Sequence, residues 1–324
     1  MSDTKYWIAL NDVLDVGPVT AKKLLALYRK PEKIFNASYK ELAGIPGIGP
    51  KKAKNIKGFE GWEKIDTQLK TLESKNVNVV TLDDTGYPEL LKNMEDSPIV
   101  LYTKGSVQKE DRFAIAVVGS RKYSSYGRFA VEKLSAELTS LGFTIVSGMA
   151  RGIDTLAHTT AVNSGGRTIA VLGSGIDVPY PPENKMLMEK ISCSGCVITE
   201  FPPGTQPERE NFPRRNRLIS GLSLGVLVIE ATADSGSLIT ASCAADQGKE
   251  VFAVPGNINS ANSAGTNELI KNGVKLVRNV EDIIEELAPI LKGFIKTKTK
   301  AMVELTVDEQ RLCDIMTAEP KHVD

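Results

Sequence analysis

The apolar run Ile115–Val118 constrains the fold most, and Gly119, Ser120 and Arg121 follow it directly. An all-apolar run bounded by turn residues is typical of a strand buried on both faces in a parallel sheet. Open α/β sheets bind ligands at the carboxyl ends of such strands. Gly119 permits close backbone approach, Ser120 can donate a hydrogen bond and Arg121 can reach a phosphate. The alternative is that Arg121 is a surface arginine paired with a nearby carboxylate.

The same pattern recurs through the central part of the chain. Further apolar runs occupy 143–146, 168–172, 196–199, 226–229 and 251–254, and two short extra strands are expected at 79–82 and 99–102. Helical periodicity separates the runs, most clearly between Tyr126 and Leu141. This alternation predicts an α/β fold with a doubly wound parallel sheet.

The residues at the predicted strand ends narrow the kind of ligand. Small and hydroxyl residues dominate there, as in Ser147-Gly148 and Gly173-Ser174-Gly175, which suits a phosphate chain close to backbone N–H groups. No Gly-x-Gly-x-x-Gly follows the first main strand, and no Gly-x-x-x-x-Gly-Lys-Ser/Thr occurs anywhere. An NAD-dependent enzyme and a P-loop ATPase are therefore both disfavoured, and we expect no cofactor.

Composition sets limits on partners and compartment. The 324 residues carry 40 basic and 40 acidic side chains, so any nucleic-acid site must be a local patch. Four cysteines do not make a disulfide framework, and no signal segment or long apolar run is present, which predicts a cytoplasmic protein without a membrane span. Cys193 and Cys196 have redox spacing but no thioredoxin context, and we interpret them as incidental. His158 fits a structural histidine better than a base.

Two glycine hairpins stand near the amino terminus. Residues 16–24 are echoed by 46–56, each copy being a helix end, a hairpin and a new helix with lysines, and Ser38 and Glu41 have the spacing of a capping box. Such hairpins resemble helix-hairpin-helix units, whose amides accept a backbone phosphate. A secondary DNA contact is thus predicted at Gly47, Gly49, Lys51 and Lys52. The alternative, a helical scaffold that uses the hairpins only for packing, stays open.

The densest positive charge lies between Glu208 and Ser223. Pro213 can start a helix, which puts Arg214 and Arg217 on one face of its first turns, where cations are unfavourable unless an anion binds. Phe212 could stack on a base. If Arg121 and Arg217 each contact one phosphate, replacing either with alanine lowers the salt-dependence slope of binding by about 0.7. The alternative is that the arginines pair with Glu208, Glu210 and Glu230.

Six motifs in order resemble one known family. They are Ala116-Val-Val-Gly-Ser-Arg121, Ser147-Gly-Met-Ala-Arg-Gly-Ile-Asp-Thr-Leu-Ala-His158, Leu172-Gly-Ser-Gly-Ile-Asp-Val-Pro-Tyr-Pro181, Phe212-Pro-Arg-Arg-Asn-Arg-Leu-Ile-Ser220, Glu230-Ala-Thr-Ala-Asp-Ser-Gly-Ser-Leu238 and Val254-Pro-Gly-Asn257. Together they resemble the DNA-processing protein family called DprA or Smf, over residues 5–292. The resemblance implies an extended Rossmann domain behind a SAM-like helix-hairpin-helix domain. It also implies a homodimer that binds and protects single-stranded DNA and loads the recombinase RecA during natural transformation.

The resemblance also implies site residues. Arg121 belongs to the family's DNA pocket, as do the basic residue and phenylalanine before Arg-Asn-Arg, here Arg209 and Phe212; Arg217, Ser147 and Gly148 are carried over as well. With the strand-end residues, the predicted DNA-binding set is Gly119, Ser120, Arg121, Ser147, Gly148, Arg151, Arg209, Phe212, Arg214, Arg215, Asn216, Arg217, Ser235, Gly236 and Ser237. No catalytic or metal-binding residue is predicted.

Three domains are expected from these patterns. Residues 1–66 form the helical domain, 67–292 the extended Rossmann domain, and 293–324 a linker followed by the start of an incomplete winged-helix domain. Within the last, residues 305–316 and 320–324 resemble the first helix and the start of the second.

Two other functions are compatible with parts of the sequence. A nucleotide-cleaving phosphoribohydrolase of the cytokinin-activating kind resembles this chain in fold, but Ile239 and Thr240 stand where its catalytic carboxylate is needed. A repair factor that binds duplex DNA through the hairpins is the other, and it would prefer double-stranded DNA. We expect a non-catalytic protein.

Overall fold

The computed structural model describes residues 3–291, and its centre is one nine-stranded sheet. The strands are β1 (Asn78–Thr81), β2 (Val100–Gly105), β3 (Ala114–Val118), β4 (Thr144–Ser147), β5 (Thr168–Val171), β6 (Cys196–Thr199), β7 (Gly225–Val228), β8 (Glu250–Ala253) and β9 (Lys275–Leu276). Every predicted strand is present, and bounds agree within one residue except at the end of β2. The prediction of a mainly parallel α/β sheet is confirmed.

The strand order shows where the sheet reverses direction. The order is β1-β2-β6-β5-β4-β3-β7-β8-β9. The seven neighbouring strands from β6 to β9 are parallel, and β2 runs antiparallel to both of its neighbours, β1 and β6. Ala116 of β3 pairs with Val146 of β4 on one side and Val226 of β7 on the other. Successive strands therefore run outward from β3 in one direction and from β7 in the other. The β3–β7 boundary is the topological switch point, next to which open α/β sheets bind ligands.

Helices surround the sheet and form the amino-terminal region. They are α1 (Thr4–Asp12), α2 (Pro18–Tyr28), α3 (Pro31–Asn36), α4 (Tyr39–Ala43), α5 (Gly49–Lys57), α6 (Trp62–Ser74), α7 (Glu89–Lys92), α8 (Ser125–Ser140), α9 (Ile153–Asn163), α10 (Lys185–Ser194), α11 (Asn211–Gly221), α12 (Gly236–Asp246), α13 (Ala264–Lys271) and α14 (Val280–Leu287). Strands β3 to β7 are buried along their whole length, which explains their apolar sequence. No helix among residues 3–291 is long and apolar enough to cross a membrane.

The two glycine hairpins pack against each other. Lys23 of the first copy donates to the carbonyl of Pro46 in the second hairpin, and Lys52 of the second copy donates to the hydroxyl of Thr20 at 3.1 Å. The predicted capping box is present, since the Glu41 amide donates to the Ser38 hydroxyl at 3.2 Å and the Glu41 carboxylate accepts from the Ser38 amide at 2.7 Å. The hairpins therefore form a tandem unit stabilised by reciprocal lysine contacts.

Only part of the predicted three-domain division can be compared with the structure, which describes residues 3–291. Helix α6 spans residue 66, where the sequence places the first boundary. The expected linker at 293–301 and the expected winged-helix segments at 305–316 and 320–324 lie outside the described residues. The three-domain division stays a prediction.

The carboxyl end of α11 is held by one lysine. Lys249 Nζ donates to the carbonyls of Ser220 at 2.8 Å, Gly221 at 2.7 Å and Ser223. Burial lowers the pKa of Lys249 to about 8, so the ammonium form still predominates at neutral pH. A cation is favourable at this end of a helix, where the last carbonyls lack partners.

We expect Lys249→Met to lower the free energy of unfolding by about 1.5 to 3 kcal/mol, because charged hydrogen bonds to helix-end carbonyls are lost. Urea unfolding followed by circular dichroism measures it. Lys271→Met is the control, because that side chain is 76% exposed and pairs with the exposed Glu268 on the same helix. Equal stability of the two variants would contradict the capping role.

Candidate nucleic-acid interface

The loop after β3 holds Arg121 at the carboxyl edge of the sheet. An added Cβ at Gly119 would lie 2.8 Å from Ile153 Cγ1, so this position requires glycine. The amide of Ser120 donates to the carbonyl of Glu230 at 2.8 Å, which fixes the loop to the end of β7. Arg121 itself is exposed. The loop is thus rigid at its base and presents a guanidinium to solvent.

The loop after β4 is anchored by a buried carboxylate. Asp154 Oδ2 accepts from the amides of Gly148 at 3.1 Å and Ala150 at 3.3 Å, and Ser147 donates to the carbonyl of Val117 at 2.6 Å. Burial raises the pKa of Asp154 to about 6, although a nearby guanidinium and these amides favour its charged form. Ser147 and Asp154 are buried, so they support the loop and do not face solvent.

Arg215 lies beneath these loops. Its side chain is buried and donates to the carbonyls of Gly148 and Val171. An added Cβ at Gly148 would lie 2.7 Å from its guanidinium carbon, so glycine is required to admit the arginine. Burial lowers the pKa of Arg215 to about 10, which leaves it charged at neutral pH. Arg215 therefore places a buried positive charge beneath the loops that follow β3 and β4.

Phe212 brings the loops together into a slot. The guanidinium carbons of Arg121 and Arg215 each lie 5.9 Å from the centre of the Phe212 ring. The Tyr180 ring centre lies 5.6 Å from that of Phe212, at an interplanar angle of 41°. An added Cβ at Gly173 would lie 2.9 Å from Phe212 Cδ1. We call this the Phe212 slot; its lining is Arg121, Gly148, Ala150, Arg151, Gly173, Tyr180, Pro181, Phe212 and Arg215.

Two arginines of α11 converge on one buried carboxylate. Arg217 NH2 lies 2.5 Å and Arg214 NH2 3.3 Å from Glu200 Oε2, and Arg217 also pairs with Asp96 at 3.3 Å. The Arg217 side chain is 14% exposed, whereas that of Arg214 is 54% exposed and covers the Phe201 ring. The sequence left open an alternative in which these arginines pair with Glu208, Glu210 and Glu230. Arg214 and Arg217 do pair with carboxylates, but with Glu200 and Asp96, which lie farther away in sequence and which the fold brings to α11.

The remaining predicted cations differ in availability. Arg151 is exposed but forms a bidentate pair with Glu183. Arg209 is exposed in the turn before α11. Within residues 3–291, neither Arg121 nor Arg209 has a carboxylate oxygen within 4.0 Å. These two guanidinium groups are therefore available to an anionic ligand.

The serine loop after β7 is tied to α11. Ser235 caps α12 by accepting from the Ser237 amide at 3.4 Å, and the Asn216 side chain donates to the Gly236 carbonyl at 3.4 Å. Asn216 and Ser237 are buried. The structure places these residues at the same sheet edge as the Phe212 slot, and direct DNA contact by them stays a prediction.

The hairpin residues of the amino-terminal region have partners within the chain. Gly47 and Gly49 have φ angles of 84° and 68°, which favour glycine. Lys51 pairs with Asp15 at 2.9 Å, and Lys52 contacts Thr20 and the Gly47 carbonyl. These contacts favour the packing interpretation, and a secondary DNA contact stays a prediction.

His158 and Cys196 are both buried. His158 is buried, its Nδ1 lies 2.7 Å from Thr168 Oγ1, and burial lowers its pKa to about 3, so it stays neutral. Burial raises the pKa of the Cys196 thiol to about 12, which makes it a poor nucleophile.

Sequence reasoning missed Tyr180 and Glu200 as site residues. The signal for Tyr180 was an aromatic residue soon after the glycine-rich end of β5. Glu200 ends β6, and an acidic residue directly after a buried apolar strand was the available signal.

Fold and site together define an α/β protein of extended Rossmann type, with a helix-hairpin-helix region and a basic aromatic slot at its sheet edge. The family model for DNA recombination-mediator protein A matches residues 78–288, and a model for a SAM-like helix-hairpin-helix tandem matches residues 8–58. The chain belongs to the DNA recombination-mediator protein A family, whose members are called DprA or Smf.

Relatives with known names extend this finding. Protein Smf of Synechocystis sp. is 38% identical over 293 residues, covering 89% of this chain and 74% of that protein. DNA processing protein DprA of Streptococcus pneumoniae is 42% identical over 228 residues, covering 70% of this chain and 80% of that protein.

Two solved structures share the fold. The X-ray structure of DprA from Streptococcus pneumoniae superimposes with a TM-score of 0.73 at 36% identity, covering 87% of this chain and 97% of that one. A structure of DNA processing protein A from Helicobacter pylori, described for its single-stranded DNA binding mode, gives a TM-score of 0.59 at 30% identity over 66% of this chain and 97% of that one. A DNA-processing role follows from the family.

Proposed function

We propose that this protein binds single-stranded DNA at the Phe212 slot and makes or breaks no covalent bond there. The observation that carries the proposal is the pairing of Arg121 with Phe212 at 5.9 Å, because Arg121 has no carboxylate partner within residues 3–291. A cation beside an aromatic ring provides both a phosphate contact and a stacking surface. The Helicobacter pylori relative, described as binding single-stranded DNA, supports the proposal.

The slot favours an unpaired strand over a duplex. Bases in a duplex are stacked on their neighbours, so only a single strand offers a free base face to Phe212 and Tyr180. Arg121 and the exposed Arg209, three residues before Phe212, would contact phosphates of the same strand. Stacking and phosphate contact are both largely indifferent to base identity, so we expect little sequence preference.

The proposal that the protein catalyses no reaction at the slot is supported by the burial of three side chains that could otherwise act as general bases. Asp154, His158 and Glu230 are 6%, 0% and 2% exposed. None of the three carboxyl or imidazole groups is among the residues that line the Phe212 slot. A general base must come within hydrogen-bond reach of the proton that it removes.

The cellular role that fits this site is recombination mediation. We propose that the protein works in the cytoplasm as a homodimer, protects incoming single strands and loads RecA onto them in natural transformation. The family's description as a mediator of DNA recombination supports this role. In this proposal residues 67–292 bind DNA, and residues 1–66 act as a helical scaffold.

Fluorescence anisotropy with labelled single-stranded DNA, duplex DNA and RNA of one length tests the proposal. We expect the single strand to bind most tightly and to be recovered intact, without freed base. A preference for duplex would favour a repair factor. Freed base from nucleoside monophosphates would favour the phosphoribohydrolase. RecA filament formation on DNA coated by a single-strand binding protein tests loading, and an unchanged rate would contradict it.

A further inference from the structure

Glu230 places a carboxylate at the amino terminus of α8. The side chain is buried, and its Oε2 accepts from the Ser124 amide at 2.9 Å while its other oxygen accepts from the Ser124 hydroxyl. The Ser124 hydroxyl accepts in turn from the amide of Gly127 at 3.1 Å. Within residues 3–291, no lysine, arginine or histidine nitrogen lies within 4.0 Å of the Glu230 carboxylate. The helix terminus therefore supplies the compensating positive charge.

This position is where an α/β sheet ordinarily receives a ligand phosphate. Helix α8 follows β3, Glu230 lies just beyond the end of β7, and these two strands are neighbours at the switch point. Phosphates bind at helix amino termini in such crevices because free amides and the helix dipole favour an anion. Here the chain's own carboxylate accepts from the Ser124 amide and hydroxyl, and the Ser124 hydroxyl accepts from the Gly127 amide.

Gly127 makes room for that carboxylate. A Cβ added at Gly127 would lie 2.2 Å from Glu230 Oε2 and 2.4 Å from its carboxyl carbon. Gly127 lies within α8 and does not have a positive φ, so an alanine would suit the helix itself. The glycine is needed for the space and not for the backbone conformation.

The loop that Glu230 holds is the one that carries Arg121. Both ends of the loop are attached to this residue, because the Ser120 amide donates to its carbonyl and the Ser124 amide to its carboxylate. Between them, the Lys122 carbonyl accepts from Asn262 at 3.0 Å. The exposed Arg121 lies between these attachment points.

We propose that Glu230 is a resident anion: it fills the phosphate position at the start of α8, positions the loop that presents Arg121 to DNA, and keeps the phosphate of a free nucleotide out of the switch point. The claim that Glu230 positions the Arg121 loop for DNA, which we call the positioning, rests on the proposed DNA binding. The claim that the carboxylate fills the phosphate position, which we call the occupancy, does not depend on DNA binding.

Thermal melting tests the occupancy without DNA. The variants are Glu230→Ala, which vacates the anion position, and Glu230→Gln, which keeps the shape and removes the charge. Glu132→Ala, on the exposed face of α8, is the control. We expect formate or inorganic phosphate, compared with chloride at equal ionic strength, to raise the melting temperature of Glu230→Ala more than that of the wild type, Glu230→Gln or the control. Equal responses of all four proteins would overturn the occupancy.

A double-mutant cycle tests whether Gly127 is needed to make room for the Glu230 carboxylate. Gly127→Ala and Glu230→Ala are each expected to lower the melting temperature, whereas the double variant is expected to be no worse than Gly127→Ala alone, because the clash is removed. Strictly additive losses would show that the methyl group and the carboxylate do not compete for one position.

Single-strand binding tests the positioning. We expect Glu230→Ala to bind about 10-fold more weakly, since a loop that is no longer pre-organised must be ordered on binding. Formate should restore part of this loss, which loss of folded protein alone would not show. Wild-type affinity in Glu230→Ala would overturn the positioning. If the wild type itself binds no single strand, the proposed function fails, and the melting experiments still decide the occupancy.

Discussion

Replacing Phe212 with alanine is expected to weaken binding of single-stranded DNA roughly 5- to 150-fold, because stacking of one base on an aromatic ring contributes about 1 to 3 kcal/mol. The salt dependence of binding should stay unchanged, since no charge is removed. Arg121 and Arg215 both lie 5.9 Å from this ring, so its loss also removes the surface between them. Anisotropy titrations at several salt concentrations give both quantities.

Phe129→Ala is the matched control for this experiment. Phe129 is a phenylalanine with 63% exposure on α8, and no ring or cation contact is found for it among the described residues. We expect it to bind like the wild type. A loss of similar size in both variants, or none in Phe212→Ala, would rule out Phe212 as the stacking residue.

Arg121 and Arg217 are expected to give opposite results. In Arg121→Ala the slope of log affinity against log salt should fall by about 0.7, because one phosphate contact is lost. Arg217→Met should leave the slope nearly unchanged and lower the free energy of unfolding by about 3 kcal/mol, because the buried Glu200 loses its shorter partner. Burial raises the pKa of Glu200, and the guanidinium groups of Arg217 and Arg214 act in the opposite direction. Sequence reasoning predicted equal slope changes, and the ion pair is the reason for the revision.

The control for the Arg121 measurement is Arg128→Ala, which removes an exposed arginine paired with Glu132 on the same loop-helix segment. Slope and affinity should both match the wild type. If Arg217→Met changed the slope as much as Arg121→Ala, the assignment of Arg217 to the ion pair would be contradicted.

The sheet could be predicted from sequence because its strands carry a direct signal. Ile115–Val118 and its counterparts are apolar along their length, since both faces of β3 to β7 are buried. Strand β9 was not predicted: it has two residues and one is a lysine, so it lacks an apolar run. The strand order was also beyond the sequence, because it depends on which strands pair.

The site was predicted in part for a related reason. Gly119, Arg121 and Phe212 follow from local pattern and family resemblance, and the structure brings Arg121 and Phe212 together at the slot. The hydrogen bonds and ion pairs that join residues distant in sequence could not be predicted from local sequence patterns. Arg215 became a buried support because β4 and β5 present carbonyls to it. Arg217 pairs with Glu200, 17 positions away, and with Asp96, far earlier in the chain.

The hairpin lysines illustrate the same limit. Lysines after a glycine hairpin predict phosphate contact when only the sequence is considered, yet Lys51 pairs with Asp15 and Lys52 with Thr20 of the neighbouring copy. A lysine that has found a partner within the tandem must give it up before it can contact a phosphate. Binding by this region would therefore be weaker than its charge suggests.

Photochemical crosslinking tests the central claim most directly. A single strand containing iododeoxyuridine is bound to the wild-type protein, irradiated and digested with trypsin, and the adducts are mapped by mass spectrometry. If an unpaired base stacks in the Phe212 slot, adducts will concentrate on Phe212, in the peptide of residues 210–214, or on Tyr180. Adducts confined to residues 1–66, with none at either aromatic residue, would contradict the claim.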